Sequence, residues 1–278
     1  MAIQWFPGHM TKALRQMEKE LKNVDIIFYL LDARAPFSCL NPKLSQMAKD
    51  KQIIYVLTKC DMVEEGDIDR FKGKLKGENC SVVAVNGVQS NSSKSLLFLT
   101  KNLVAEKLKR KAKLGIDYLP KAMVVGVPNV GKSTLINNLC GKAKTETGNK
   151  PGVTRGKQWV QTASGLMLLD TPGTLWPSFE EDRVARNLAY IGSIKDEVLD
   201  IEDLVYFFVL DTLPKYKHLI EKRYNITIDK EDEYLDILDK ICSSRNCVLK
   251  RGEPDYERCA NIILDDFRKG RMGKIALE

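Results

Sequence analysis

Apolar and polar positions along the chain alternate between two periods. Residues 9–22, HMTKALRQMEKELK, set Met10, Ala13 or Leu14, Met17 and Leu21 at helical spacing with charged residues between them, and so predict an amphipathic helix. VDIIFYLLDAR (24–34) is instead a continuous apolar run, the pattern of a strand covered on both faces. NPKLSQMAKD (41–50) predicts a helix with Asn41 at its cap and Pro42 in its first turn, and QIIYVL (52–57) a second buried strand. A helix near 67–76, a strand SVVAV (81–85), a polar turn NGVQSNS (86–92) and a long basic helix over about 93–112 follow. KAMVVGV (121–127) is a further strand, with a helix beginning at Lys132. KQWVQTA and GLMLLD flank Ser164-Gly165 and read as a hairpin feeding the sheet. Beyond residue 180 the pattern turns helical and more acidic, with no strand alternation.

Strands alternating with helices predict an α/β fold, a mostly parallel sheet with helices on both faces, followed by a smaller all-α C-terminal domain. The boundaries drawn are 1–23 for an N-terminal segment and amphipathic helix, 24–190 for the α/β domain and 191–278 for the helical domain. A chain of 278 residues has room for both.

Charge sharpens this division. Residues 1–190 carry 29 Lys and Arg against 18 Asp and Glu, while residues 191–278 carry 15 against 19. The basic excess sits in KNLVAEKLKRKAK (101–113), with a second cluster, RKGRMGK, at 268–274. A polyanionic partner such as RNA fits this distribution. Solvated lysine-rich helix faces fit it equally well. No apolar run reaches the 18 or so residues needed to cross a bilayer, and MAIQWFPGHMTKA lacks the basic-then-apolar order of a secretory signal. The seven cysteines contain no CxxC pair and there are two histidines, so the chain reads as a reduced, cytoplasmic protein without a zinc site.

Three strand-end motifs carry candidate chemistry. Gly126-Val-Pro-Asn-Val-Gly131-Lys132-Ser133 fits G-x-x-x-x-G-K-S between a strand and a helix. In such a loop successive backbone N–H groups face phosphate oxygens, the helix start adds positive potential, Lys132 neutralises the outer phosphates and the Ser133 hydroxyl ligates Mg²⁺. Asn129, Val130, Gly131 and Thr134 complete the cradle. Downstream, Asp170 and Gly173 form D-x-x-G: Asp170 as a Mg²⁺ holder through water, the Gly173 amide as a γ-phosphate contact. Between them, KTETGNKPGVTRG (144–156) is either a plain surface loop or a switch segment whose Thr154 completes the Mg²⁺ shell. Finally, Thr58-Lys59-Cys60-Asp61 follows a strand. If Asp61 lies beside the phosphate loop, its carboxylate can accept from the guanine ring N–H and amine while the Lys59 stem covers the base. Adenine leaves that carboxylate unpaired, at a cost of about 1–3 kcal/mol. Ala84, Val85 and Asn86 end the next strand and are expected to supply a backbone N–H to the base.

The motifs come in an unusual order, base-reading elements first, and here the chain resembles circularly permuted GTPases. WFPGHMTKA (5–13), DARAP (32–36), GVPNVGKSTLIN, PGVTR, DTPG-x-LWP and GEPDYERCANIILDDFRKGRMGKI (252–275) resemble the ribosome biogenesis GTPase A family in particular, over almost the whole chain. The resemblance implies that 24–190 is a circularly permuted P-loop GTPase domain and that 191–278 binds RNA or the ribosome. It also implies GTP/GDP and Mg²⁺ as ligands, a cytoplasmic factor monomeric off the ribosome, and GTP hydrolysis on the large ribosomal subunit precursor late in assembly. Asn129 matches the asparagine that helps bind K⁺ in related GTPases. In Ras-type enzymes a Gln after D-x-x-G orients the attacking water; here Thr174 stands there, so slow hydrolysis with activation by the particle is expected. His9, in a Pro-Gly turn, is the in-chain candidate for hydrolysis, with capping of the first helix or RNA contact as its alternatives. The competing reading is an RNA-binding module that holds GTP with little or no catalysis.

Overall fold

The computed structural model describes residues 8–86, 94–141, 158–179 and 181–278, with the backbone alone at His9 and Gln158. Six strands form one sheet: β1 (Ile26–Asp32), β2 (Gln52–Thr58), β3 (Cys80–Ala84), β4 (Lys121–Gly126), β5 (Gln158–Gln161) and β6 (Met167–Asp170). Their spatial order is β3-β2-β1-β4-β6-β5, with β5 antiparallel to β6 and every other pair parallel. The α/β expectation is met, and residues 158–170 form a hairpin. All seven residues of β1 are buried, as a strand covered on both faces requires.

Around the sheet run α1 (Gly8–Leu21), α2 (Pro42–Met47), α3 (Glu65–Leu75), α4 (Lys94–Lys113) and α5 (Lys132–Cys140). Asn41 caps α2 as expected, its side chain accepting from Lys43 N at 3.0 Å. The first strand is shorter than its apolar run because both flanks are claimed by carboxylates. Asp25 accepts from Tyr118 Oη and Lys121 N, and Asp32 accepts the Arg34 N–H at 3.1 Å, which turns the chain out of the ladder.

The helical remainder comprises α6 (Asp182–Tyr190), α7 (Ile201–Tyr224), α8 (Tyr234–Ser244) and α9 (Tyr256–Arg268). α7 kinks at Tyr216 (φ −121°, ψ 17°), two residues past Pro214, whose ring cannot continue the backbone ladder. Residue 190 closes α6, but the buried core runs without a break from the sheet into α7, α8 and α9. All seven cysteines are free thiols, and burial pushes the Cys259 thiol up and keeps it inert.

After α9 the chain returns to the sheet. Ile275 N donates to Met62 O at 3.1 Å, Leu277 N to Arg34 O at 2.8 Å, and the Glu278 carboxylate accepts from Phe37 N and Ser38 N. Asp266 anchors the turn that starts this return: Arg223 donates to it at 2.8 and 2.9 Å, Arg271 at 2.7 Å and Tyr224 Oη at 3.2 Å. Burial alone would raise the Asp266 pKa, but the bonds from Arg223 and Arg271 outweigh it and hold the carboxyl below its ordinary value. Asp266→Asn should cost about 3 kcal/mol, the lower end for breaking a buried ion pair. Because the folded pKa is depressed, the native contribution is complete above the unfolded value of about 4 and is lost as pH falls below it. Urea midpoints at pH 7 and pH 3 should therefore separate the two proteins at pH 7 and draw them together at pH 3.

Candidate functional site

Because β1, β2, β3, β4 and β6 are parallel, their C-terminal ends lie along one edge of the sheet. From β1 the chain moves outward to β2 and β3; from β4 it moves the opposite way to β6. The crevice between β1 and β4 is thus a topological switch point, where ligands bind in such sheets.

At the end of β4 the chain turns sharply at Gly126 (φ 153°), where a Cβ would stand 2.7 Å from Leu30 O of the neighbouring strand. The loop passes through Asn129 in the left-handed region (φ 58°) to Gly131, the cap of α5. Lys132 is buried beneath it, Nζ donating to Val127 O at 2.8 Å and Gly126 O at 3.1 Å. Burial lowers its pKa to about 8, with Asp170 opposing the shift. Ser133 is half-buried and Thr134 exposed on the first turn of the helix.

The DTPG turn abuts this loop. A Cβ on Gly173 would stand 2.7 Å from Pro128 N and Cα and 2.9 Å from Lys132 Nζ, so glycine is required by contact. Thr171 Oγ1 donates to Val124 O at 2.6 Å and Thr174 N to Gly126 O at 3.3 Å, pinning the turn to β4. Asp170 is buried, which raises its pKa against the pull of Lys132, and its Oδ1 has no hydrogen-bond partner among the described residues. A buried carboxylate oxygen left over in this way fits a hard cation. Thr154, the third expected ligand, lies outside the described residues, as does the rest of PGVTR.

The segment Thr58–Asp61, expected to read the base, is tied to the phosphate loop directly. Thr58 Oγ1 carries one proton and donates it to Val130 O at 2.7 Å, across 72 positions of sequence; Leu31 O lies 3.2 Å away. Lys59 adopts φ 55° and its Nζ sits 2.7 Å from Asp32 Oδ2. Asp61 stands exposed in a 3-10 turn, Cys60–Met62. On the next strand, Ala84 ends β3 and the Val85 N–H is committed to Leu57 O at 2.8 Å. A donor to the base from Ala84, Val85 and Asn86 therefore cannot be the Val85 amide, and Asn86 is the next in line. The His9 side chain lies outside the described residues, but its neighbour Met10 is buried, with Sδ accepting from Leu175 N at 3.4 Å. The start of α1 thus lies against the DTPG turn.

Two partners of the site were not picked out as such in the sequence. Asp32, fully buried, holds Lys59 and is clamped by Arg34; a charged pair closing an apolar strand was the available signal. The turn after α6 grips the phosphate loop, Ser193 Oγ donating to Pro128 O at 2.8 Å and Asn129 Nδ2 to Gly192 O at 2.7 Å. Nothing local to Gly192-Ser193 announces that contact.

A family model described as "50S ribosome-binding GTPase" matches residues 121–243. The chain is 37% identical to Ribosome biogenesis GTPase A of Bacillus licheniformis, covering all of this chain and 98% of the relative. It is 30% identical to that of Thermotoga maritima, over 99% and 94%. A crystal structure of GNP-bound YlqF from T. maritima superposes with a TM-score of 0.65 at 25% identity, covering 96% of this chain and 97% of that one.

Two outcomes follow from the loop geometry. Thr58→Val strands a buried carbonyl and should destabilise the chain by about 1–3 kcal/mol, with a smaller gain in melting temperature on adding GDP than the native chain shows. Lys132 loses its charge as pH rises through about 8 in the free chain, and phosphate restores it. Affinity for GDP should then fall with rising pH, by at most about tenfold per unit above 8, in a fluorescence titration in which Lys132→Ala is flat.

Proposed function

The chain belongs to the ribosome biogenesis GTPase A family, and from that premise we propose that it acts late in assembly of the large ribosomal subunit. It is a GTPase and binds guanine nucleotides. In the proposed cycle the GTP form binds the precursor particle, rRNA and ribosomal proteins together, and the particle stimulates hydrolysis to GDP and phosphate. The observation that carries this reading is the Thr58 hydroxyl on Val130 O, which ties the proposed base-reading turn to the phosphate loop and so supports one ligand across both.

Within the site, Lys132 neutralises the outer phosphates while the amides of Asn129, Val130, Gly131, Ser133 and Thr134 face their oxygens. The Gly173 amide meets the γ-phosphate. Ser133, Thr154 and Asp170 would hold Mg²⁺, which when bound would supply charge neutralisation to the phosphates. Thr58, Lys59 and Asp61, with the segment ending at Asn86, hold the guanine. The Asn129 side chain is the proposed K⁺ contact, tested by turnover in K⁺ against Na⁺. His9 is proposed to reach the γ-phosphate from the start of α1; the contact of Met10 with Leu175 supports that placement.

No residue of the DTPG turn presents a water-orienting group, so the isolated chain should turn over slowly. An external stabiliser is worth up to about 10⁵-fold in such enzymes. Among the described residues no helix is long and apolar enough to cross a membrane. The proposed setting is the cytoplasm, with the chain monomeric off the ribosome.

Single-turnover hydrolysis with purified large-subunit precursors tests the activity. Phosphate release well above that of the chain alone is expected, and none above background would make the protein a GTP-holding RNA-binding module. Co-sedimentation should be stronger with a non-hydrolysable GTP analogue than with GDP. Asp61→Asn should move the preference from guanosine to xanthosine diphosphate, since the amide then faces a ring carbonyl in place of the guanine amine.

A further inference from the structure

Besides Lys132, Asp170 and the Asp266 cluster, buried charge is gathered at the end of β1, in Asp32 and Arg34. Asp32 is fully buried, Arg34 Nε and Nη2 donating to its two oxygens at 2.9 and 2.8 Å while Lys59 Nζ holds Oδ2 at 2.7 Å. Burial alone would raise its pKa, but Arg34 and Lys59 together keep the carboxyl ionised well below its usual range. The third guanidinium nitrogen of Arg34 leaves the sheet. Nη1 lies 3.3 Å from Phe267 O and 3.4 Å from Arg268 O, and the guanidinium stands 4.8 Å over the Phe267 ring. Those carbonyls belong to the C-terminal end of α9, where a helix lacks internal donors and favours a cation.

From the same helix end Arg268 reaches the opposite way. Its Nη2 and Nε donate to Ala189 O at 2.8 Å and Tyr190 O at 3.1 Å, closing the end of α6. The turn that follows is the one bonded to Pro128 and Asn129 of the phosphate loop. Just past α9, Gly270 packs on the Met62 side chain and Ile275 N bonds Met62 O, beside Asp61. Both ends of the nucleotide site therefore converge on Phe267, Arg268 and the residues after them.

We propose that Arg34 is a positioning residue that couples nucleotide binding at Lys59 to docking of the end of α9. This rests on the reading that Lys59 and Asp61 hold the base. Lys59 sits in a left-handed conformation and its ammonium is fixed by Asp32, so the course of its stem depends on where Asp32 is held. Arg34 holds Asp32 with two nitrogens of its planar fork and α9 with the third. A ligand that orders Lys59 thereby orders α9, and linkage requires that docking α9 tighten the ligand by the same factor. The C-terminal helices would thus report the state of the base pocket through a path separate from the DTPG turn.

The test reads both ends. The amides of Lys269, Gly270 and Arg271 bond to Asp265 O, Phe267 O and Asp266 O and report the order of the helix end by hydrogen exchange. In the native chain GDP should slow their exchange by about tenfold. Arg34→Met should abolish that protection and weaken GDP binding by a similar factor, and Arg34→Lys, which keeps the charge but not the fork, should fall between. Exchange at 269–271 that ignores GDP in the native chain overturns the proposal, and that measurement stands even if Arg34→Met does not fold. Asp61→Asn separates the two failures. If the base reading is wrong it leaves the guanosine preference in place, whereas if only the coupling is wrong it shifts the preference while 269–271 stay silent.

Discussion

The pairing of β1 with β2 on one side and β4 on the other is the constraint from which the site follows. β1 runs parallel to β2 from Ile26 opposite Gln52 to Asp32 opposite Thr58, and parallel to β4 from Ile26 opposite Ala122 to Leu30 opposite Gly126. That double register places Thr58 and Gly126 at the same edge, one strand apart. The Thr58 hydroxyl can then cross the intervening strand end to Val130 O. Nothing in this depends on which strand the ribosome makes first. Ladder bonds and side-chain burial are indifferent to chain order, so β2 can precede the phosphate loop provided something carries the chain back. α4 does so: its 20 residues span about 30 Å, enough to return from β3 across the sheet to β4.

The same edge explains why the helical region is more than an appendage. A strand end that gathers Asp32, Arg34 and Lys59 buries charge, and burying a carboxylate without partners costs several kcal/mol. Two cations meet that cost for Asp32, but Arg34 then has a nitrogen to satisfy, and the carbonyls at the end of α9 supply the acceptors. Specificity for one docking geometry follows from the fork, whose nitrogens lie in a plane and cannot be satisfied by a sliding partner.

The elements were legible in the sequence because each rests on local rules. Apolar period, the Asn41-Pro42 cap and the Ser164-Gly165 turn act within a few residues, and the phosphate loop is a local backbone shape dictated by its glycines. The site's wiring was not legible in the same way. Thr58 to Val130, Asn129 to Gly192, Arg34 to Phe267 and Ile275 to Met62 join residues far apart in sequence, and the donors Thr58, Asn129 and Arg34 are of types mostly found at surfaces elsewhere. Val85 illustrates the limit from the other side: its motif position suggested a free amide, and only the ladder shows that Leu57 O already takes it. Asp32 was visible as DAR-x-P, yet its tie to Lys59 depends on the register of β1 and β2.

Thr174 bears on the proposed slow hydrolysis. In sequence its hydroxyl occupied the place of a water-orienting glutamine; in the fold it is fully buried and has no hydrogen-bond partner among the described residues. A side chain so placed cannot position a water over a phosphate in this arrangement. Asp170 Oδ1, four residues earlier, is buried and unpartnered as well, so the DTPG turn carries orphaned oxygens on both sides of Gly173. Each such group costs about 1–3 kcal/mol relative to a satisfied one. A cation at Asp170 relieves one of them, and a shift of the turn that gives Thr174 an acceptor or donor relieves the other. Gly173, wedged against Pro128 and Lys132, would carry such a shift to the phosphate loop. The turn is therefore held to β4 by the Thr171 hydroxyl and the Thr174 amide and to α1 by contact, while two of its own oxygens go unsatisfied, an arrangement that favours a change of form when something binds beside it.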